Sequence, residues 1–482
     1  MEFDSTQINY SAYYNTDEQV NSGLMAAYDP MGWCWFSGEE WWGASLKTWG
    51  NFASDDAITG GKDIGDQPSY QVVENYSLTQ ADPGGNLMNM WRFYFMGIYR
   101  SNVVIYNVKP ESPYKKYALA QAKFCKAFYY FYLSRMFGGL PLIDKVPKPD
   151  ESIDRASIDK TLEYIENLLL DAISNNDLGE RSGMKDPVEG LATKASAQAL
   201  LGKVYIYHKK YTDAIATLLN VANNNQYKLD AFWHIQNGGN LHGVESIFEI
   251  NHSNVVGESN ADVYLFGPRN IGSSAFNDTL NGGWGFNQPT QSLFDAFKAA
   301  NDEIRFKSTI LIGDSLVASF KKNKGPNFLG WENSITGYWD AKHCPDLRYN
   351  GSDFKRISNP EVILRLADVY LMLAESYVRT GDNANSLKYV NLVRARVLLA
   401  PLSTITLADV KNERRLELAL EGERYFDLVR WTGDADKIDA DNVLGPLGYT
   451  NGTPGIKTKG LFPIPQDEIN ATSGKLKQND GY

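Results

Sequence analysis

A mainly α fold, made of stacked helix pairs that carry a long loop-rich insertion with short strands, is expected from three features of the 482-residue chain. Apolar residues recur at three- and four-residue steps in several separated segments, the pattern of helices with one buried face. Two of those segments repeat the same helix-turn-helix order, at residues 205–220 and 377–391. Between residues 228 and 358 the helical period fades while Gly, Asn, Ser and aromatic residues become more frequent.

The first strong helix pattern runs from Tyr117 to Phe137, with Ala118, Ala122, Cys125, Phe128, Tyr129 and Tyr132 on one face. It stops at Gly138-Gly139, because glycine readily takes the backbone conformation that ends a helix. A second helix is expected over 158–173 and a third over Leu191 to His208. The third carries Ala195, Ala199 and Gly202, small residues that let a neighbouring helix approach closely. In the first repeat Tyr205 precedes a turn at Lys209-Lys210, then Ala214, Ile215 and Leu218. In the second Tyr377 precedes Gly381-Asp382, then Ala384 and Leu387. Paired amphipathic helices of this kind are tetratricopeptide-like units, which bury their apolar faces by stacking.

Thr406 and Asp409 form a capping box for a helix expected to run to about Trp431. Within the insertion, Ser246 to Ile250 alternates as a strand does. One intimately packed unit in three parts is expected: residues 1–227 helical, 228–358 the insertion, and 359–482 helical, completing the scaffold.

With 43% hydrophobic and 13% aromatic residues the chain has ample apolar surface to offset the entropy of ordering. A net charge of −11 leaves no basic stripe, so nucleic acid is excluded as a partner class. Cys34, Cys125 and Cys344 cannot all pair and show no close metal-ligand spacing; they are expected to be structural thiols. No apolar run approaches the roughly 20 residues that span a bilayer.

Catalytic motifs are absent from the pattern. His208, His234, His242, His252 and His343 stand without a G-x-S-x-G elbow or a zinc-helix spacing. No phosphate loop, dinucleotide fingerprint or D-x-D-x-D-G calcium loop appears, and neither cofactor nor metal is expected. Glu417 and Glu421, one turn apart among several arginines, are read as members of an ion-pair ladder, since arginine neighbours hold acids ionised and poor as general acids. A glycoside hydrolase would need two carboxyls across a sugar bond with one raised pKa, and no motif singles out such a pair.

Aromatic residues carry the positive signal. Sugars present apolar C–H faces between rings of hydroxyls, so they bind flat aromatic platforms flanked by amides and carboxylates. Trp33, Trp35, Trp41, Trp42 and Trp49 crowd one early segment, with core packing, a partner interface or ligand contact all open for them. In the insertion Trp284, Trp331, Tyr338 and Trp339 sit among Gly, Asn and Asp, where tight burial is harder, with Asn287 as an amide partner. Trp41 and these five form the expected carbohydrate-binding set.

Several motifs follow one another in fixed order: Ser54-Asp55-Asp56 with Gly60-Gly61, the Trp91 to Asn102 helix, Gly138 to Ile143, Gly282 to Thr290, Gly337-Tyr338 before Lys342, Arg365 to Ser376, Glu413 to Trp431 and Gly460 to Ile469. Together they span the chain and resemble the SusD/RagB family, the cell-surface glycan-binding lipoproteins of Bacteroidetes-type bacteria. The resemblance implies an oligosaccharide-binding protein that breaks no bond and acts as a lid on a SusC-like TonB-dependent transporter. It implies outer-membrane attachment through a lipid anchor upstream of the sequence given. It also places part of the glycan site at Asp66, Gln67 and Tyr70, in the polar loop after Gly60-Gly61. A peptide-binding relative on the same scaffold and, less favoured, a glycoside hydrolase are the alternatives.

Overall fold

The structure is a computed structural model that describes residues 13–33, 35–36, 41–42, 45–63, 65–82, 85–145, 154–181, 190–234, 242–254, 259–268, 283–312, 334–343, 358–431, 443–444, 460–472 and 474–482. In chain order the N-terminal elements are α1 (Asp17–Tyr28), the two-residue strands β1 (Trp35–Phe36) and β2 (Trp41–Trp42), α2 (Leu46–Phe52), β3 (Ala57–Gly60), α3 (Pro68–Glu74), α4 (Asn86–Asn107), α5 (Pro113–Phe137), α6 (Ile158–Ser174), α7 (Lys194–Tyr207) and α8 (Tyr211–Ala222). The insertion contributes β4 (Ser246–Ile250), α9 (Ala261–Phe266), β5 (Phe286–Pro289), α10 (Gln291–Ala299), α11 (Glu303–Thr309), β6 (Ile310–Ile312) and β7 (Tyr338–Asp340). β8 (Glu361–Arg365), α12 (Leu366–Arg379), α13 (Asn383–Arg396), α14 (Leu407–Glu417), α15 (Arg424–Trp431) and α16 (Gln466–Ala471) follow. The fold is mainly α, as expected.

Side-chain caps start most of the long helices: Thr16, Ser112, Ser157, Thr193 and Thr406 each accept a backbone N–H of the first turn. α4 and α5 meet where Gly97 has no side chain; a Cβ there would lie 2.2 Å from the Tyr129 ring. Gly202 of α7 does the same for α8, where Leu218 would be 2.3 Å away. The two repeats noticed in the sequence are neighbours in space, because α12 packs against α8 of the first pair as well as against its own partner α13. Each covers an apolar face that the other pair would otherwise leave wet. Among the described residues no helix is long and apolar enough to cross a membrane.

Short antiparallel ladders tie the insertion to this scaffold. β4 pairs with β8 and β3 with β5, while β6 pairs with β7 within the insertion itself. The single helix expected from Thr406 to Trp431 is instead two, α14 and α15, broken at Leu420 (φ +63°) and Gly422 (φ +81°). Asn51 holds the break from both sides, donating Nδ2–H to the Leu420 carbonyl at 2.9 Å and accepting the Gly422 N–H at 2.9 Å. A Cβ at Gly50 would stand 1.8 Å from the Gly422 carbonyl oxygen, so two backbones touch there. Continuous apolar periodicity hid the break. Cys125 is buried and free, as expected for a structural thiol, while Cys34 and Cys344 lie outside the described residues.

Candidate functional site

Three segments far apart in the chain meet at one surface. β3 runs antiparallel to β5, pairing Ala57 with Pro289, Ile58 with Gln288 and Gly60 with Phe286. Gly60 and Gly61 have φ of +76° and +84°, which turns the chain at the end of β3, and the Gly61 N–H is donated to the Gly285 carbonyl at 2.8 Å. The loop that follows is knit by carboxylates: Asp66 Oδ2 accepts the Lys62 N–H at 2.8 Å, and Asp63 Oδ1 that of Gly65 at 2.9 Å. Gln67, with φ +52°, then enters α3. The third segment is held by the fully buried Gln288, whose Oε1 accepts the Ile335 N–H at 2.8 Å and the Ser334 hydroxyl at 3.2 Å while its Nε2 donates to the Gly285 carbonyl at 2.9 Å.

Lys62, Asp63 and Gly65 are exposed, and Asp66, Gln67, Trp284 and Tyr338 are half-buried. The Tyr338 ring stacks on Phe294 of α10 with centroids 5.0 Å apart and planes 17° apart, and its hydroxyl donates to Gln291 Oε1 at 2.8 Å. Trp284 packs near Phe286, centroids 6.5 Å apart. Two half-buried rings thus stand beside a hydrogen-bonded polar loop. Held stiffly and partly open, such rings lose little entropy on contact and present flat C–H-binding faces.

A family model described as "SusD family" matches residues 244–482, and one described as "Starch-binding associating with outer membrane" matches residues 59–206. A solved structure titled "Laminarin binding SusD-like protein" is 30% identical, with 98% of this chain and 100% of that chain covered and a TM-score of 0.81. The chain belongs to the SusD family. A second SusD-type structure, surface glycan-binding protein A from Bacteroides thetaiotaomicron in complex with laminarihexaose, is 25% identical over 97% of this chain and all of that one, with a TM-score of 0.81. SusD-like protein P38 of Formosa agariphila is 26% identical, covering 92% of this chain and 91% of its own.

Of the nine expected binding residues, the fold leaves four partly exposed on these segments and buries three. Asp66, Gln67, Trp284 and Tyr338 lie on the outer side. Tyr70, Asn287 and Trp339 do not, and the expectation for these three is corrected. Tyr70 is 2% exposed, its ring edge-on to Phe52 and Phe286 in the core. Trp339 is fully buried because strand alternation in β7 turns Tyr338 one way and Trp339 the other. Asn287 is fully buried with φ +57°, donating Nδ2–H to Asp340 Oδ2 at 2.7 Å. Polar neighbours did not keep these side chains at the surface; the Asn287–Asp340 bond shows that two polar residues of the insertion pair inside instead. Trp331 lies outside the described residues, and Trp41 is described only as the strand residue paired with Phe36. Of the early tryptophans, Trp49 is buried against Phe462, and Trp33 is half-buried, edge-on to Phe93 with the Arg100 guanidinium 4.8 Å above it. Gln288, which staples the surface together, was not singled out by sequence; its signal, an amide in an otherwise apolar strand, is weak.

The fold also holds a buried ion network. Glu417 pairs with Arg365 at 2.6 Å and Arg305 at 3.1 Å, and also with Arg396. Glu421 meets Lys342 at 2.5 Å and Arg365 at 2.8 Å, and Arg414 bridges Asp368 at 2.5 Å and Asp427 at 2.6 Å. Despite burial, the surrounding guanidinium groups hold Glu417 well below the usual carboxylate range, and Arg365 with Lys342 holds Glu421 down to about 2. The ladder read from the sequence is therefore a set of ion pairs, but long-range ones that join α14 to β8, α11 and α13 rather than neighbours on one helix. Raised carboxyls lie elsewhere, Asp262 among them: burial and the nearby Glu361 push it up to about 7, and it is 1% exposed, enclosed with Lys47 and Ser45. A general acid needs contact with its substrate, which this group lacks.

Proposed function

We propose that this SusD-family protein binds a neutral oligo- or polysaccharide at the cell surface and passes it unaltered to a SusC-like TonB-dependent outer-membrane transporter, while held to the outer membrane by a lipid anchor. The observation that carries the reading is the convergence of Asp66, Gln67, Trp284 and Tyr338 from three distant segments onto one half-open surface. Trp284 and Tyr338 would stack on pyranose faces, while Asp66 and Gln67 would fix hydroxyl directions from the loop edge. Trp41 and Trp331 are further members of the proposed set. Shallow stacking keeps affinity modest, which suits cargo that is released again. No bond is broken in this scheme, and the network carboxylates, held ionised, are unsuited to proton donation.

Laminarin and laminarihexaose are the first glycans to test, since each is named for one of the structures similar to this chain. Affinity electrophoresis against a panel of neutral polysaccharides, repeated with Trp284→Ala and Tyr338→Ala, decides the matter. Retardation by at least one glycan that both substitutions weaken supports the proposal. Retardation by none, or indifference to both substitutions, rejects it. Heat from peptides without heat from sugars would favour a peptide cargo.

A further inference from the structure

Trp284 and Tyr338 reach the surface from different segments, and each ring is only as well placed as the backbone that carries it. Trp284 is tied on both sides: the Gly283 N–H is donated to the Pro268 carbonyl at 2.8 Å and the Gly285 N–H to the Gly267 carbonyl at 2.9 Å. Tyr338 ends a tight loop in which the Ser334 hydroxyl lies 2.8 Å from the Tyr338 carbonyl oxygen and the Tyr338 N–H is donated to the Thr336 hydroxyl at 3.2 Å. Gln288 of β5 touches both supports. Its Nε2 donates to the Gly285 carbonyl at 2.9 Å and lies 3.4 Å from that of Gly61. Its Oε1 accepts the Ile335 N–H at 2.8 Å, with the Thr336 N–H at 3.4 Å and the Ser334 hydroxyl at 3.2 Å.

The amide has one workable orientation, because carbonyls lie on one side of it and N–H groups on the other, so each end serves only its own partners. The side chain is fully buried, and a bond lost there leaves its partner unsatisfied. Gly60 leaves the room for it, since a Cβ at that position would stand 2.8 Å from Gln288 Cγ. Ile335, by contrast, has 41% of its side chain exposed, so apolar burial does little to hold the loop and the bonds to Gln288 carry that task. A glycan that stacks on two rings at once needs them at one spacing, and a slack loop adds an ordering cost to binding.

We propose that Gln288 is a positioning residue, one that never touches the glycan and sets the spacing of Trp284 and Tyr338 by clamping their two backbone supports together. The proposal rests on the glycan reading of that surface, so calorimetry with laminarihexaose is paired with hydrogen exchange at the Ile335 N–H, which needs no glycan. Gln288→Met keeps the size of the side chain and loses its amide bonds. It should bind about tenfold more weakly, and the Ile335 N–H should exchange about tenfold faster than in wild type. Gln288→Glu should carry a pH signature. Ionised, it turns an oxygen against the Gly285 and Gly61 carbonyls; protonated, it has a hydroxyl to donate there. Burial raises such a carboxyl, and Glu74 at the Thr59 N–H, Asp340 at Asn287 and Asp66 beside Gly61 act in the same direction, with the exposed Lys62 opposing them. Relative to wild type at the same pH, Gln288→Glu should therefore bind about tenfold more weakly at pH 8 and recover to within about threefold at pH 5. Circular dichroism at both pH values confirms that the variants are folded, and a residue that served stability alone would show no such recovery in folded protein. If Gln288→Met misfolds, Ser334→Ala, at a half-buried position, replaces it and should weaken binding about threefold. Wild-type affinity in the substituted protein, Gln288→Glu equally weak at both pH values, or unmoved exchange at Ile335 overturns the proposal. If laminarihexaose does not bind wild type, whichever glycan of the panel is retarded replaces it. Wild type that binds none of them counts against the proposed function, and the exchange measurement then decides the role of Gln288 by itself.

Discussion

The ion network around α14 and the surface proposed to bind glycan are both built from polar and aromatic residues brought together over long sequence distances, yet they are finished differently. In the network nearly every charge is buried and met by an opposite charge: Arg305, Arg365, Arg414, Glu417 and Glu421 all have side chains less than a tenth exposed. At the surface, Asp66, Gln67, Trp284 and Tyr338 keep part of each side chain accessible. Closed satisfaction fixes a scaffold, because any lost partner leaves a buried charge behind. Partial exposure leaves groups free to exchange water for ligand. Substitutions should therefore separate the two regions by what they damage.

The largest effect is expected from Glu417→Ala. It leaves Arg305, Arg365 and Arg396 with an uncompensated buried site, at a cost of about 3–5 kcal/mol. Urea denaturation reads the loss directly, and a variant within 1 kcal/mol of wild type (about the size of one ordinary mutation) would show that the network does not brace the scaffold. Gly50→Ala comes next, since its methyl group would fall 1.8 Å from the Gly422 carbonyl oxygen. The backbone must move, and destabilisation of about 1–3 kcal/mol is expected in the same assay.

Trp284→Ala should move the other quantity, weakening glycan binding about tenfold, or ~1.4 kcal/mol, with little change in denaturation midpoint. A midpoint that falls as far as the affinity would place Trp284 in the scaffold and blur the contrast between the regions.

Smaller effects follow from titration. Asp262, raised in the folded state, binds its proton more tightly folded than unfolded, so its contribution to stability declines as pH rises from about 4 towards 7. Asp262→Asn should therefore gain on wild type in thermal melts at pH 8 relative to pH 5; an equal gap at both pH values would contradict this. Glu375 and Glu421 have the opposite sign: each is lowered to about 2, so the stability they contribute above the ordinary carboxylate range is lost as pH falls through it towards 2. The smallest effect is Gln67→Gly. It relieves a left-handed backbone and is expected to stabilise by under about 1 kcal/mol while weakening glycan capture, the sign expected where strain is kept for function.

Helix positions, the two related helix pairs and the strand at 246–250 were legible in the chain, because apolar period and capping residues act over a few neighbours. The acid and arginine pattern near Glu417 also announced ion pairing, since a crowd of opposite charges has few other stable outcomes. Which arginine meets which acid, where the helix after Thr406 breaks, and which tryptophan faces outward were settled only in three dimensions. The break belongs to Asn51, more than 350 residues away from its partners. Tyr338 and Trp339 are chemically similar and adjacent, so no local rule could say which one the β6–β7 pairing would turn inward. Local physics decides the conformation of a segment; burial is decided by what the rest of the chain lays against it.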